Sequence, residues 1–79
     1  MGRMAWQERI VIAPDLHAGE PCIKGTRIPV AVIMGSLADG MTPLEIQAAY
    51  PQLSDQDIRA ALSYAAELTH QDLLVPLPA

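Results

Sequence analysis

The sequence has few of the features that stabilise small domains. Its 79 residues include a single cysteine, Cys22, so neither an internal disulfide nor a zinc site built on a pair of cysteines can form. Phenylalanine is absent, and the aromatic side chains are one tryptophan and two tyrosines. A chain of this length buries only roughly 60% of the surface that its unfolded form exposes. Since disulfide cross-links are excluded, we expect association to supply further stability, and we predict a homodimer or a tight complex with another protein.

Long apolar runs are also missing. No stretch approaches the roughly 18 apolar residues that a membrane-spanning helix requires, and residues 1–9 show no secretory pattern. We therefore expect a cytoplasmic protein that makes no membrane contact. No Ser-His-Asp or Cys-His arrangement is recognisable, and the possible ligands Asp15, His17, Glu20 and Cys22 match no standard set of metal ligands. We expect a protein that is not an enzyme and that needs no metal or cofactor.

Positive charge is scarce as well. Five Lys and Arg residues stand against nine Asp and Glu residues, which gives a net charge of −4. Residues 1–41 are neutral overall, and the whole deficit lies in residues 42–79, where Arg59 is the only Lys or Arg. Affinity for nucleic acid comes largely from neutralised phosphates, so an acidic half is poorly suited to it. An acidic half suits a basic protein partner, because complementary electrostatic fields favour association.

The segment Pro21–Val30 organises the rest of the chain. Residues 9–13, which precede it, are largely β-branched and strand-like, and Cys22-Ile23 can form a second short strand. Gly25 can take a positive φ without steric cost, which allows a sharp turn. Pro29 keeps the residue before it extended and suits the first position of a helix, so we predict that a helix begins at about Pro29 or Val30.

Two helices with well-marked ends are predicted after this turn. The first covers Pro29–Asp39, and Gly40 is a suitable residue to end it. Its apolar stripe consists of Val30, Ile33, Met34 and Leu37. The second helix begins with a capping box, in which Thr42 is the N-cap and Glu45 the third helical residue, and it ends before Pro51.

A third helix is predicted after the cap residue Ser54, and with the second helix it makes a helix-turn-helix pattern. On the pattern alone, the alternative is any compact three-helix domain. The predicted buried stripe is Ile58, Ala61, Leu62, Ala65 and Leu68, and the predicted exposed residues are Gln56, Arg59, Ser63 and Glu67. The expected fold is mainly α: a three-helix helix-turn-helix domain, homeodomain-like or winged-helix-like, with a short N-terminal β ribbon.

The chain is expected to form one domain over residues 1–79. Its expected parts are a flexible start at 1–8, a β arm and turn at 9–28, a three-helix core at 29–68 and a tail at 69–79. A strand ribbon this short is marginal in water, so we expect it either to pair across a dimer axis or to pack firmly on the helices.

Three stretches of the sequence together resemble domain-of-unknown-function family 433. They read GEPCIKGTRIPV at 19–30, DGMTPLEI at 39–46 and YPQLS at 50–54, and the resemblance covers roughly residues 9–68. The positions that match the family signature are Gly25, Thr26, Arg27, Pro29, Tyr50 and Pro51. The resemblance implies a small helix-turn-helix-related fold and pairing with a PIN-like nuclease, for which these proteins are regarded as antitoxins. It carries over no catalytic residues, and Glu20 stands where a small or basic residue is common.

The candidate residues for nucleic-acid binding are Arg3, Arg9, Lys24, Arg27 and Arg59. Lys24 and Arg27 flank the predicted turn, and an arginine fork can grip a phosphate or a guanine edge. The alternative is structural: Arg27 pairs with an acidic group such as Glu20, Asp39 or Asp57 and ties the turn to the helices. The third helix is a poor reader of the major groove, because it carries one arginine among several acids.

The candidate residues for binding a protein partner are Trp6, Leu73, Leu74, Val75 and Leu77. Tryptophan is a frequent interface anchor, and Trp6 is expected to lie in the flexible start. The apolar tail either docks on its own domain or is offered to a partner. Tyr50 and Tyr64 are expected to fill the core between the second and third helices.

The first hypothesis is an antitoxin-like protein that binds and neutralises a PIN-like ribonuclease toxin; binding of operator DNA is left open in it. The alternative is a stand-alone homodimeric helix-turn-helix regulator that binds DNA without a toxin partner. A third hypothesis is an interaction or scaffolding domain.

Overall fold

The computed structural model describes residues 5–13 and 19–72, the side chains of the last three excepted. The elements are a 3-10 turn at Trp6–Glu8, strands β1 (Ile10–Val11) and β2 (Cys22–Ile23), and helices α1 (Val30–Ala38), α2 (Pro43–Ala49) and α3 (Asp55–Asp72). The fold is mainly helical, with three helices and a short two-stranded antiparallel sheet at its N-terminal end, as predicted. None of the described helices is long and apolar enough to cross a membrane.

The two strands pair with each other within the chain. Ile10 is opposite Ile23 and Val11 is opposite Cys22, and the Lys24 N–H extends the ladder by donating to the Arg9 carbonyl at 2.8 Å. β1 is shorter than the predicted segment at 9–13. The ribbon does not stand alone, because Ile10 and Ile23 are both buried in the helical core.

The turn between β2 and α1 is built as its residue types predict. Gly25 has a φ of 80°, in the left-handed region that favours glycine. The Thr26 hydroxyl donates to the Ile23 carbonyl at 2.8 Å and accepts from the Ile28 N–H at 3.0 Å. Pro29 is the N-cap of α1 and not its first helical residue, since its ψ of 148° is extended. The helix therefore begins at Val30, in agreement with the predicted start at about Pro29 or Val30.

Both predicted helix caps are present. In α2 the Thr42 hydroxyl accepts from the Glu45 N–H at 3.2 Å, and the Glu45 carboxylate accepts from the Thr42 N–H at 2.8 Å. In α3 the same reciprocal pair joins Ser54 and Asp57, at 3.1 and 3.0 Å. Each pair satisfies backbone donors that a helix start leaves without partners, so the two helices begin where local chemistry requires.

The core lies where the sheet and all three helices meet. Its largest fully buried aliphatic side chains are Ile23, Ile33, Ile46 and Ile58, one from β2 and one from each helix. Ala60 and Ala61 on α3 are also fully buried. They lie on the helix that contacts both α1 and α2.

The buried face of α3 differs in part from the predicted one, since Ile58 and Ala61 are buried as predicted but other members of the stripe are not. Leu62 and Leu68 are 42% and 47% exposed, whereas Ser63, predicted to be exposed, is 3% exposed. The face turned inward instead runs through Asp57, Ala60 and Tyr64, about one residue out of phase with the prediction. The reason is tertiary: α3 packs against the N-terminal 3-10 turn as well as against α1 and α2, so its contact arc is shifted. The predicted exposure of Gln56, Arg59 and Glu67 is confirmed.

Candidate partner-binding surface

Arg9 ties the N-terminal arm to the start of α3. Its Nη1 lies 3.0 Å from Asp57 Oδ1, and its other terminal nitrogen donates to the Gln56 side-chain oxygen. The Asp57 carboxylate thus holds both the Arg9 guanidinium and the Ser54 N–H. The sequence predicted, as one alternative, an ion pair between Arg27 and an acidic group such as Asp57. An arginine does pair with Asp57, but it is Arg9. Arg9, one position before β1, reaches Asp57, and Arg27 forms no ion pair with any residue that the structure describes.

The remaining cations are spread over several elements. Lys24 and Arg27 are exposed on the turn after β2, and Arg59 is exposed on α3. Arg3 lies outside the described residues. A polar hollow of about 260 Å³ is lined by Glu8, Arg9, Lys24 and Asp57. With two acids and two bases, this hollow is not a site that selects anions.

Trp6 packs within its own chain. Its ring meets that of Tyr64 edge to face, with centroids 4.8 Å apart at 79°, and its indole N–H donates to Glu67 Oε2 at 2.7 Å. The segment Trp6–Glu8 therefore forms a helical turn packed on α3, in place of the expected flexible start. Both polar and apolar parts of the indole have partners, so Trp6 is a poor candidate for a free interface anchor. The other four partner-binding candidates, Leu73, Leu74, Val75 and Leu77, lie outside the described residues.

An apolar groove of about 340 Å³ runs between α1 and α3, and we call it the α1–α3 groove. Six helical residues line it: Val30, Ala31 and Met34 from α1, and Tyr64, Ala65 and Leu68 from α3. Glu20 and Pro21 also line it, and Glu20 is the one charged side chain among the described lining residues. Sequence reasoning missed this groove. The available signal was the repeated i, i+1, i+4 spacing of small and apolar residues on two helices, which has meaning only once the helices are adjacent.

Two of the residues that match the family signature, Tyr50 and Pro51, lie in the turn between α2 and α3. Tyr50 caps the C-terminus of α2, where its N–H donates to the Ile46 carbonyl at 2.8 Å, and its own carbonyl accepts from the Leu53 N–H at 2.9 Å. Pro51 follows in this turn and is exposed. Tyr50 and Tyr64 are both partly buried and pack against the core.

The Cys22 thiol is inaccessible. It is 1% exposed and donates to the Glu20 carbonyl at 3.5 Å. Burial raises the pKa of the Cys22 thiol above its ordinary value of 9.0, and the negative charge of Glu20 raises it further. Within 5–13 and 19–69 no three His, Cys, Asp or Glu side chains are grouped so that they could hold a metal ion. Of the potential ligands weighed in the sequence, Asp15 and His17 lie outside the described residues.

The fold defines a small helical domain in which three helices are joined to a short two-stranded antiparallel sheet. The family described as "Protein of unknown function (DUF433)" matches residues 10–65, and the chain belongs to that family. The chain is 36% identical over 61 residues to the uncharacterized protein y4eO of Sinorhizobium fredii (strain NBRC 101917 / NGR234), a match that covers 77% of this chain and 28% of that protein. It therefore spans little more than a quarter of that relative's length.

A solved structure supports the same fold. The crystal structure of a DUF433 member protein from Anabaena variabilis ATCC 29413 superposes with a TM-score of 0.75 at 34% sequence identity. The similarity covers 82% of this chain and 64% of that chain. The arrangement of ribbon and helices described above is thus shared with an experimentally determined member of the family.

Proposed function

We propose that the chain is an antitoxin-like protein, which binds a PIN-like ribonuclease and neutralises it. The observation that carries this proposal is the solvent-facing surface of α3, the helix in the position of a recognition helix. Its exposed side chains are Asp55, Gln56, Arg59, Leu62, Glu67, Leu68 and Thr69. One cation stands against two acids, and two leucines are 42% and 47% exposed. This combination suits a protein surface better than a phosphate backbone.

The start of α3 supports the same choice. A free helix N-terminus attracts phosphate through its unpaired N–H groups. Here the Ser54 hydroxyl and the Asp57 carboxylate form a reciprocal cap, and Arg9 neutralises the carboxylate. An incoming phosphate would meet Asp55 and Asp57 instead of open donors, so α3 gains little from approaching DNA.

The proposed inhibition of the ribonuclease rests on the negative charge of this chain and on the area that the bound domain would cover. A ribonuclease needs a positively charged face to hold RNA, and residues 42–79 of this chain carry a net charge of −4. Complementary fields bring the two surfaces together, and the bound domain then covers the face that RNA would use.

A second candidate, a stand-alone homodimeric DNA-binding regulator, is favoured by one observation. Lys24 and Arg27 are exposed on a turn whose backbone is held by Thr26, and neither forms an ion pair with a described residue. Two exposed cations on one turn suit phosphate contact. In this alternative the strand side of the molecule, and not α3, would face DNA.

The two candidates separate in a binding experiment at physiological salt. The purified chain is titrated with the product of the neighbouring reading frame, which we expect to be a PIN-like nuclease, and separately with a DNA fragment from upstream of its own gene. We expect tight nuclease binding, loss of ribonuclease activity and weak DNA binding. Tight DNA binding without nuclease binding, lost in Arg27→Ala and kept in the control Arg59→Ala, would establish the regulator instead.

A further inference from the structure

We infer that the α1–α3 groove is the docking site for a basic amphipathic helix of the partner. This inference rests on the proposed function, because it names the surface through which that partner would be held. The groove is lined mostly by apolar side chains, and among the described lining residues Glu20 is the charged one.

The shape of the groove suits a helix. Each wall presents residues at i, i+1 and i+4, namely 30, 31 and 34 on α1 and 64, 65 and 68 on α3. At 1.5 Å per residue, each wall is about 6 Å long, roughly one helical turn. Ala31 and Ala65 are the small members of the two walls, and their short side chains leave space between the helices. Such a space accepts one or two large apolar side chains from a helix laid across it.

The chemistry of the walls suits protein recognition. Met34 and Tyr64 belong to residue types enriched at the centres of interfaces, and the flexible methionine can adjust to the shape of its partner. Leu68 is 47% exposed, so an apolar group placed on it would remove area from water.

The negative charge of Glu20 and of the whole chain favours a positively charged helix in the groove. A helix carrying lysine or arginine beside its apolar anchors could place a cation against the carboxylate of Glu20. It would also approach a chain whose net charge is −4. A second copy would bring the same net charge and another Glu20 to the same surface, which is repulsive. A basic helix is therefore the favoured occupant over a second copy.

The test uses two synthetic amphipathic peptides, one built from leucine and lysine and the other from leucine and glutamate. Each is titrated into the full chain, with calorimetry for affinity and amide chemical shifts for location. We expect the lysine peptide to bind at least about tenfold more tightly and to shift residues 30–34 and 64–68. Equal affinity for the two peptides, or shifts elsewhere, would overturn the inference.

Two exposed leucines on different helices give the variant test. Leu68→Ala removes a groove residue of α3, and Leu44→Ala removes an exposed leucine of α2 that is not in the described lining of the groove. We expect about tenfold weaker binding of the lysine peptide for Leu68→Ala and an unchanged affinity for Leu44→Ala. Circular dichroism checks folding. If Leu68→Ala is unfolded, Ala31→Met, which fills the groove from an exposed helix position, decides in its place. Equal effects at groove and control positions would contradict the inference.

Charge and competing occupants are tested separately. Glu20→Gln is expected to weaken binding of the lysine peptide several-fold, while the exposed control Glu8→Gln leaves it unchanged. Concentration-dependent dimerisation that Leu68→Ala abolishes would assign the groove to a second copy. Nuclear Overhauser contacts from residues 73–77 to Tyr64 in the free chain would assign it to the chain's own tail. Either result would overturn the proposed occupant.

Repeating the leucine pair with the nuclease separates this inference from the proposed function. If the chain binds the nuclease and Leu68→Ala binds it equally well, the function stands and the groove is not its site. If the chain does not bind the nuclease but the lysine peptide occupies the groove, the antitoxin function fails and the recognition of basic helices stands.

Discussion

At the scale of single residues, side chains close to one another in sequence mostly hold the backbone, and those far apart hold the elements together. Thr26 bonds within its own turn and Thr42 within its own helix. Arg9 instead reaches Asp57, 48 positions along the chain. One of the five candidate nucleic-acid-binding cations is thereby engaged in the fold, and its removal should be felt in stability.

Arg9→Ala is expected to lower the free energy of unfolding by about 1 kcal/mol, because it breaks a partly buried ion pair and leaves Asp57 short of a partner. Asp57→Ala should cost about 2 kcal/mol, since it also removes the helix cap. Arg59→Ala is the matched control, an exposed arginine of α3 without an ion pair among the described residues, and should change stability by less than about 0.5 kcal/mol. Urea denaturation measures all three, and equal losses for the two arginines would refute the assignment.

Cys22 predicts a dependence on alkaline pH. Burial and Glu20 raise the pKa of the folded thiol above 9.0, so the unfolded thiol ionises first as pH rises. The contribution of Cys22 to stability is therefore complete below the unfolded pKa and declines as pH passes above it. Alkylation of the native chain by iodoacetamide should be about 100-fold slower, or more, than in denaturant, because reaction requires opening of the core.

The control for this prediction is Cys22→Ala, whose stability should lose that part of the decline between about pH 8 and about pH 10. Rapid alkylation of the native chain at neutral pH would show that the thiol is accessible and would contradict the burial described above.

At the scale of elements, the turn and the helix beside it make opposite demands on glycine. Gly25 lies in the turn with a φ of 80°, whereas Gly35 lies inside α1. A Cβ added at either position would meet nothing within 4 Å, so sterics with neighbours do not distinguish them. Backbone conformation alone does, which makes the two positions a matched pair.

Gly25→Ala is expected to lower the free energy of unfolding by about 1 kcal/mol, because an L side chain is strained at positive φ. Gly35→Ala is expected to raise it by about 0.5–1 kcal/mol, because alanine loses less backbone freedom in a helix. Thermal and urea unfolding of the two variants measure the sign directly. A gain in stability for Gly25→Ala would show that the turn does not hold this conformation in solution.

At the scale of the whole molecule, the N-terminal arm, which comprises residues 6–11, packs against α3. Trp6 packs on Tyr64 and bonds to Glu67, and Arg9 holds the other end of the arm on Asp57. The ribbon buries Ile10 and Ile23 between these contacts. Arm and helices therefore share one core, and they should unfold together.

The unfolding transition followed by Trp6 fluorescence is expected to coincide with the one followed by far-ultraviolet circular dichroism, because the arm cannot leave without exposing the common core. Glu67→Gln, which keeps a weaker acceptor for the indole, should shift both curves slightly and together. A fluorescence transition at clearly lower denaturant would mean that the arm detaches first, as a flexible start would.

The sequence by itself determined the local structure of this protein. The caps at Thr42 and Ser54 and the turn at Gly25 and Thr26 were predictable, because each is satisfied by neighbours within a few residues. The mainly helical fold with a short ribbon followed from the same signals, and the family resemblance was confirmed over residues 10–65.

Only the tertiary structure decided which face of α3 is buried, which arginine binds Asp57, where Trp6 rests and that a groove opens between α1 and α3. Helical periodicity names the residues that share a face, but the direction that this face takes depends on every element packed against it. Trp6 and Glu67 are 61 positions apart, and no pattern of spacing reports a contact over that distance. Such contacts arise from close packing of the whole chain, which the order of residues implies without displaying it.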